Sequence, residues 1–455
     1  MTDGGPESPP APRWPSAPAS PRMWLVLVAM AVVAATVSGS VYLRHSGDFF
    51  LSDDLELIAN TIEGSSLFEP ISTHIRPVVR LHFLLLYRAV PSHIAFGMAS
   101  LTLHLVSCLA FFLVADALYG RRVGILAALA QFACFLGSGA VFWAAAVGVI
   151  YCLLFSALSL FAFVRGRLVT STLLLALAAG SYELWLAVPV LMLLLARRAR
   201  DLIIPWVMAV AYVAANMAMF GLLPGESYGG FVWSELPVRF ATSAFRLVSP
   251  FSGEPAAWMG VVLMAALAAV GASPRFRVPV LAYATTVLLL SPSADFAGRF
   301  QYIPGAALIL VAILGLASRP CAAVPAATAL AGLLILSPVV VWLDGEDYGR
   351  LAAMHEEIFR TIDDQLSMVP SGRFVIIDNR LGPEGLLEYS TSLRGSPKVV
   401  FVRESGIGGM VLPRTLAVIL LDRRGLAPQG SACRGTRIQI GEGPPRSHYC
   451  FRIRR

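Results

Sequence analysis

Two adjacent carboxylates, Asp53 and Asp54, directly follow the first long apolar segment of the sequence. An acidic pair at a membrane surface is costly unless it is solvated or used. One carboxylate could remove the proton of a hydroxyl that attacks a sugar carbon, or the pair could hold a divalent metal. The alternative is structural, because Asp53 with Glu56 three residues later imitates the capping box of a helix start.

Three further polar clusters, at residues 74–77, 181–183 and 299–304, occur far along the chain. Arg76 and Arg299 offer the planar, bidentate fork that suits phosphate oxygens, although an interfacial arginine can also simply reach lipid headgroups. Glu183 stands between two apolar segments, where an ionisable residue is either functional or an exposed loop residue. We expect these clusters and the acidic pair to line one cavity that opens on the external side.

Histidines and cysteines predict no metal centre. His74 and His104 are more typical of hydrogen-bonded structural histidines, because their spacing matches no standard site. Cys433 and Cys450 are the only cysteines in the polar C-terminal region, with no CxxC spacing to suggest zinc. If that region is external, the two thiols could form a disulfide.

The composition indicates a polytopic membrane protein. The chain has 455 residues, of which 57% are hydrophobic and 14% are charged, whereas soluble domains are about a quarter charged. The net charge of +7 comes largely from arginines in short breaks between apolar runs, which is the pattern of cytoplasmic loops. Because no patch interleaves basic and aromatic residues, we expect no nucleic-acid partner.

Apolar runs predict about eleven membrane-spanning helices behind a disordered cytoplasmic tail at residues 1–22. The first run reads as an uncleaved anchor, since it is too long for a typical signal peptide. The predicted spans are residues 23–43, 94–118, 123–137, 143–163, 168–181, 184–196, 202–222, 257–272, 278–291, 304–318 and 323–342.

The arginines fix a predicted orientation. With the N-terminus inside, every arginine-bearing break falls on the cytoplasmic side. Those breaks contain Arg121-Arg122, Arg165–Arg167, Arg197–Arg200, Arg275–Arg277 and Arg319. The remaining breaks fall outside, and they are residues 44–92, 138–142, 180–183, 223–256, 292–303 and everything after 343.

Three external regions are long enough to carry function. Residues 76–88, in the second half of 44–92, predict a helix lying in the outer interface, with Arg76 and Arg80 on one face. Residues 223–256 form a second long loop. Residues 343–455 predict a small extracytoplasmic α/β domain, because a helical stretch is followed by apolar strand-like runs. The helix is expected at 353–366 and the strands at 373–378, 398–402 and 415–421.

An ordered set of short motifs resembles the GT-C superfamily of polytopic glycosyltransferases. It is most similar to the protein O-mannosyltransferases whose transmembrane helices are followed by tetratricopeptide repeats, over about residues 45–310. The motifs are Phe50-x-x-Asp53-Asp54, Asn60, Arg76-Pro77, Leu118-Tyr119-Gly120-Arg121, Phe142-Trp143, Ser181-Tyr182-Glu183 and Arg299-x-x-Tyr302-x-Pro304.

The resemblance implies a transmembrane catalytic region, residues 23–342, that transfers a sugar with inversion from a polyprenyl-phosphate donor. The acceptor would be a hydroxyl of a lipid, glycan or protein at the outer face of a bacterial cytoplasmic membrane. Asp53 and Asp54 would supply the base, and Arg76 and Arg299 would bind the donor phosphate. No cofactor would be required, and a divalent metal at the acidic pair is left open. Residues implied to line the cavity are His74, His104, Tyr182, Glu183 and Tyr302.

The sequence departs from the family pattern at several places. Tyr182 stands where the family often has lysine, Ser100 and His104 replace an Asn–His pair, and the repeats are absent. Two other functions stay open, a transporter or flippase of lipid-linked glycans and a non-catalytic membrane scaffold. Transporters usually place polar groups near the bilayer midplane, whereas the clusters here are predicted at one surface.

Overall fold

The structure is a computed structural model, and it divides the chain into two compact units. Unit 1 contains the chain up to Gly47, Leu67–Val79 and Ala95–Asp347, and unit 2 contains Asp48–Ser66, Arg80–Ile94 and Tyr348–Arg455. The described residues are 21–62, 64, 66–70, 74–221, 233–249, 256–291, 298–316, 320–367, 374–379, 400–401, 411–412, 416–421, 439–440 and 449–450. The predicted tail therefore lies almost wholly outside the described residues, as do Arg319 and much of the predicted loop 223–256.

The described chain is mainly helical. In chain order its α-helices are α1 (Pro21–His45), α2 (Ser52–Ile62), α3 (Pro77–Ala89), α4 (His93–Tyr119), α5 (Arg121–Ala133), α6 (Ser138–Phe142), α7 (Val147–Val164), α8 (Leu168–Ala179), α9 (Ala187–Leu195), α10 (Ile203–Phe220), α11 (Leu236–Arg246), α12 (Ala257–Gly271), α13 (Arg277–Leu290), α14 (Tyr302–Leu316) and α15 (Pro320–Ser367).

Six helical segments in the described chain are long and apolar enough to cross a membrane. They are Pro21–His45, His93–Tyr119, Ala144–Val164, Ala199–Phe220, Arg299–Leu316 and Ala323–Glu357. This agrees with a multi-pass membrane protein. A helix lies over each of the eleven predicted spans, but helices such as α5 and α8 would cover only about 20 Å of a hydrocarbon core near 30 Å thick. Eleven crossings therefore stay a prediction.

Unit 1 is held together by buried aromatic side chains and by paired hydroxyl groups. Trp185 and Tyr283 are fully buried among the helices. Between α7 and α8, the Ser159 hydroxyl donates to the Ser171 carbonyl at 2.8 Å, and the Ser171 hydroxyl donates back to the Ser159 carbonyl at 2.9 Å. Such reciprocal bonds fix the two helices where water is not available as a partner.

The end of α5 is buried and is completed by side chains from other helices. The predicted span 123–137 ends early, because α5 stops at Ala133 and a separate short helix, α6, follows. The last carbonyls of a helix have no partner within it, so they need one from elsewhere. Here Ser38 of α1 donates to the Ala133 carbonyl at 2.9 Å, and two residues beyond the helix the Phe135 N–H donates to the Ser337 hydroxyl of α15 at 3.3 Å.

The two helices that follow the first span begin differently from the predictions. In α2, the carboxylate that caps the helix start is Asp54 rather than Asp53, because Asp54 Oδ2 accepts from the Leu51 N–H at 2.8 Å. A helix, α3, covers most of the predicted interfacial helix 76–88, but it begins at Pro77 and leaves Arg76 in the preceding extended segment, and its place in the interface stays a prediction. Proline favours the first helical position and disfavours helical geometry in the residue before it, so Arg76 and Arg80 do not share a helix face.

The C-terminal region contains short parallel strands. The predicted strands are found as β1 (Phe374–Asn379), β2 (Val400–Phe401) and β4 (Leu416–Leu421), and β6 (Tyr449–Cys450) completes a sheet of order β2-β1-β4-β6. Every pairing in this sheet is parallel, and a second parallel pair joins β3 (Val411–Leu412) to β5 (Gln439–Ile440). The small α/β domain itself stays a prediction, because Cys433 and most of the region lie outside the described residues.

The predicted domain boundary at residue 343 falls inside a helix. The last predicted span, 323–342, and the separate predicted helix at 353–366 are both parts of α15, which has 48 residues. Pro325 and Pro338 lie inside α15 without ending it. The disulfide predicted between Cys433 and Cys450 is not tested, since neither side chain is among those described.

Candidate functional site

The turn between α8 and α9 is joined to the first turn of α3 and to the residue that precedes it. The Val78 N–H donates to the Gly180 carbonyl at 3.0 Å. Three residues after Gly180, Glu183 begins a 3₁₀ helix (Glu183–Leu186), and its side chain is buried. Arg76 donates from Nη2 to both carboxylate oxygens of Glu183, at 3.1 and 3.0 Å. The structure therefore brings together two predicted site residues that are 107 positions apart in the sequence.

The Arg76 guanidinium has a second contact of a different kind. Its central carbon lies 4.4 Å from the centre of the Tyr182 ring, and Tyr182 is itself buried. A cation over an aromatic face is stabilised most when water is excluded. Tyr182, at the position where the family often has lysine, thus contacts the guanidinium with its ring rather than adding a second cation. Arg76 is held by both the carboxylate and the ring.

His74 lies beside this pair and is neutral. Its Nδ1 is 3.8 Å from Glu183 Oε1, a distance compatible with an ion pair only if the imidazole is protonated. Burial lowers the pKa of His74 from 6.5 to about 4. Glu183 raises the pKa, while the positive charges of Arg76 and Arg299 lower it further. At neutral pH the contact is therefore between a neutral ring and a carboxylate, and the Arg299 charge is close enough to act on that ring.

Arg299 lies in a 3₁₀ turn, Gly298–Gln301, immediately before α14. We call Gly298–Gln301 the arginine turn. The guanidinium lies over the Trp143 ring, 4.1 Å from its centre, and 5.0 Å from the centre of the Phe300 ring. The Phe300 ring is in turn 6.3 Å from that of Tyr182, which connects this turn to the Arg76 side of the site. Among the described residues, no carboxylate lies within ion-pair distance of Arg299.

The charges of this site do not cancel. Arg76 and Glu183 neutralise each other, His74 is neutral at pH 7, and Arg299 contributes a positive charge without a counterion in the described part of the chain. A half-buried cation on an aromatic surface is suited to an anionic ligand, because the ligand supplies the negative charge that the described neighbours of Arg299 lack. Phosphate, with its planar arrays of oxygen acceptors, fits a guanidinium well.

His104 and Tyr302, both predicted to line the cavity, bind each other inside unit 1. His104 Nδ1 is 2.7 Å from the Tyr302 hydroxyl, and both side chains are buried. The imidazole is stacked on the Phe132 ring with centres 5.1 Å apart. These contacts match the interpretation of His104 as a hydrogen-bonded structural histidine, and its place in a ligand cavity stays a prediction.

The six breaks predicted to be external are connected to one another within unit 1. The contact pairs are Arg44–Glu346 at 2.9 Å, Ser138–Asp344, Gln301–Arg246, Tyr182–Phe300 and Arg76–Glu183. Loops that touch in series lie at one end of the helices that carry them. This arrangement agrees with the alternation read from the arginines, although the compartment that this end faces stays a prediction.

Asp53 and Asp54 belong to unit 2 and differ in environment. Asp53 is exposed, whereas Asp54 is 2% exposed and accepts the Leu51 N–H. The structural alternative considered for the pair, a helix start, is therefore found at Asp54. Their role as a base or as metal ligands stays a prediction. Across the described residues, no group of three or more His, Cys, Asp or Glu side chains is placed to hold a metal.

The contacts of Arg299 with the Trp143 and Phe300 rings were not predicted from the sequence. Trp143 was part of a motif, but nothing in its spacing indicated contact with a residue 156 positions later. Phe300 occupies an unspecified position of the motif Arg299-x-x-Tyr302-x-Pro304. The contact could have been suspected from the predicted orientation alone. Trp143 adjoins the break 138–142 and Phe300 lies in the break 292–303, and both breaks are predicted on the same side of the membrane.

Comparison with known proteins gives little further guidance. No protein-family model matches the chain, and no curated protein matches it. A search of solved structures finds a similarity to ArnT from Cupriavidus metallidurans bound to undecaprenyl phosphate, with a TM-score of 0.48, 14% identity, and coverage of 85% of this chain and 87% of that one.

Proposed function

We propose that this chain is a membrane glycosyltransferase that uses a polyprenyl-phosphate-linked sugar as donor. The observation that carries the proposal is Arg299, a half-buried cation on Trp143 with no carboxylate counterion in the described chain. A phosphate leaving group needs stabilisation of its charge more than it needs a proton, so a guanidinium is sufficient on that side of the reaction. The polyprenyl tail would lie among the apolar helices of the membrane.

Arg76 is proposed to orient the donor phosphate while it remains bound to Glu183. Its guanidinium is bound to Glu183, and a guanidinium has five N–H donors, of which the two contacts to Glu183 use one nitrogen. In this proposal Arg76 contacts the donor phosphate while its Nη2 stays bound to Glu183. Arg299 would supply the charge that attracts the donor, and Arg76 would orient it.

The base in this proposal is one of the acidic pair, Asp53 or Asp54. That assignment rests on the sequence resemblance. The carboxylate would take the proton of an acceptor hydroxyl as the hydroxyl oxygen attacks the anomeric carbon, and the bond from that carbon to the phosphate oxygen would break. A single displacement of this kind inverts the configuration at the sugar. The acceptor, a lipid, glycan or protein hydroxyl, is left open, and the reaction is assigned to the outer face of a bacterial cytoplasmic membrane.

The direct test is transfer by purified protein in nanodiscs. The protein would be incubated with a panel of polyprenyl-phosphate sugars, each labelled in the sugar, with and without a divalent cation, and sugar release or transfer would be measured. We expect turnover of at least one donor by the wild type and a large loss of turnover in Asp53→Asn or Asp54→Asn. Ser159→Ala, which removes a hydroxyl from the reciprocal pair between α7 and α8, serves as the control for altered stability.

Other results would favour the other functions. Transbilayer movement of a lipid-linked glycan in proteoliposomes, without cleavage of any donor, would indicate a flippase. Absence of both turnover and movement, with a folded protein, would indicate a scaffold. Either result contradicts the proposal.

A further inference from the structure

We infer that Tyr302 and His104 are positioning residues for Arg299, and that Gln301 holds the other side of the same turn. This inference rests on the proposed function, because it assigns Arg299 to the donor phosphate. Tyr302 is the first residue of α14 and directly follows the arginine turn. Both Gln301 and Tyr302 make side-chain hydrogen bonds to other helices, whereas in the described chain Arg299 contacts the Trp143 and Phe300 rings.

The hydrogen bonds of His104 indicate which of its ring nitrogens carries the proton. His104 Nε2 lies 3.4 Å from the Phe132 carbonyl, which can only accept, so Nε2 carries the proton. Nδ1 of the neutral ring is then an acceptor, and the Tyr302 hydroxyl donates to it at 2.7 Å. A chain of two bonds thus runs from the start of α14 through α4 to the end of α5.

Backbone and packing contacts hold Tyr302 as well. Its carbonyl accepts from Gln131 Nε2 at 3.4 Å. Its ring lies against Gly137, where an added Cβ would be 2.4 Å from Tyr302 Cδ2 and where φ is +121°, so only glycine fits. The tyrosine is therefore fixed at its hydroxyl, at its ring and at its backbone.

Gln301 anchors the turn on the opposite side. Its Nε2 donates to the carbonyls of Arg246, at 3.2 Å, and Ser249, at 3.1 Å. These carbonyls lie at and just beyond the C-terminal end of α11, and the Arg246 carbonyl also accepts from the Ser249 N–H at 3.2 Å. The arginine turn is consequently tied to α11 through Gln301, and to α4 and α5 through Tyr302.

This anchoring matters because the Arg299 side chain has no directional partner of its own in the described chain. A ring face attracts a cation but allows it to slide, so the position of the guanidinium depends on the backbone that carries it. Binding groups need to be held within about half an ångström of their productive place. Tyr302 and Gln301 would supply that constraint without touching the phosphate.

The test is a double-mutant cycle on binding of a short-chain polyprenyl phosphate to the protein in nanodiscs. Arg299→Ala should abolish most of the binding. Tyr302→Phe should weaken binding by roughly tenfold, as expected for the loss of one buried hydrogen bond that acts on the site. In the Arg299→Ala background, Tyr302→Phe should have no further effect, because it acts only through that arginine.

A purely structural role gives a different outcome. Tyr302→Phe would then lower the unfolding temperature while leaving the dissociation constant unchanged, as we expect for the control Ser159→Ala, and the inference would be overturned. If Tyr302→Phe does not fold, Gln301→Leu tests the same turn and should also weaken binding only when Arg299 is present. Equal binding by the wild type and Arg299→Ala would overturn the proposed function, and the inference with it, whereas an unaltered Tyr302→Phe beside an impaired Arg299→Ala overturns the inference alone.

Discussion

The two arginines of the candidate site were predicted to have one role, yet they have different surroundings. Arg76 is paired with a buried carboxylate and covered by the Tyr182 ring. Arg299 lies on Trp143 with no carboxylate beside it in the described residues. An arginine at either position is chemically suited to bind phosphate. Whether its charge pairs with the protein or with a ligand depends on whether a carboxylate lies beside it.

The difference also separates stability from binding. A buried ion pair that loses one partner leaves the other charge uncompensated, so Arg76 and Glu183 should matter mainly for folding. Removing the side chain of an arginine that lies on an aromatic surface changes the free energy of unfolding little. A change at Arg299 should therefore act mainly on ligand affinity. Variants at the two positions should therefore change different measured quantities.

The largest effect is expected from Glu183→Ala. This change leaves the mostly buried Arg76 charge without its carboxylate and should lower the free energy of unfolding by about 3–5 kcal/mol. Thermal unfolding in nanodiscs measures it. The double variant Glu183→Ala with Arg76→Ala should recover part of the loss, since neither charge then remains unpaired. A double variant less stable than the single one would show that the pair is not the source of the effect.

A smaller effect should come from pH. The pKa of His74 is lowered on folding from 6.5 to about 4, so the unfolded chain binds this proton more readily. The contribution of neutral His74 is fully present above pH 6.5 and should be lost as pH falls toward 4, by on the order of 3 kcal/mol. Stability measured between pH 7 and pH 4 tests this, and His74→Gln should remove that part of the slope. A slope that is the same in His74→Gln would refute the assignment.

The smallest effect is expected away from both arginines. Ser171→Ala removes one hydroxyl from the reciprocal pair with Ser159. Hydrogen bonds between membrane helices contribute about 0.6 kcal/mol on average, so unfolding should become easier by about that amount. Affinity for a polyprenyl phosphate should not change. A loss of affinity as large as that of Arg299→Ala would show that the binding assay reports general destabilisation.

Helix positions could be predicted from the sequence to a large extent, because a stretch that is apolar throughout has few alternatives in a membrane. Helix ends were less predictable. The end of α5 depends on Ser38 and Ser337, which are remote in sequence, and the continuity of α15 past Pro338 overrides the local breaking tendency of proline. The strand positions in the C-terminal region were found from apolar runs in the same way.

The candidate site was predictable as a set of residues but not as a set of contacts. The alternation of arginines placed the breaks on one side, and the contacts among them agree. Nothing local indicated that Glu183 would bind Arg76 rather than a ligand, or that Asp54 would cap α2 through the Leu51 N–H. These outcomes depend on distances between remote segments, which residue types and spacing do not determine.

The central claim, that Arg299 binds a lipid-linked phosphate, is tested most directly by comparing two ligands that differ only in the phosphate. A polyprenyl phosphate and the polyprenol of the same length would each be added to the protein in nanodiscs, and the unfolding temperature would be recorded. A ligand that binds only the folded state raises this temperature in proportion to its affinity and concentration. We predict stabilisation of the wild type by the phosphate, little by the alcohol, and loss of the phosphate effect in Arg299→Ala. Equal stabilisation by both lipids, or an undiminished phosphate effect in Arg299→Ala, would contradict the claim.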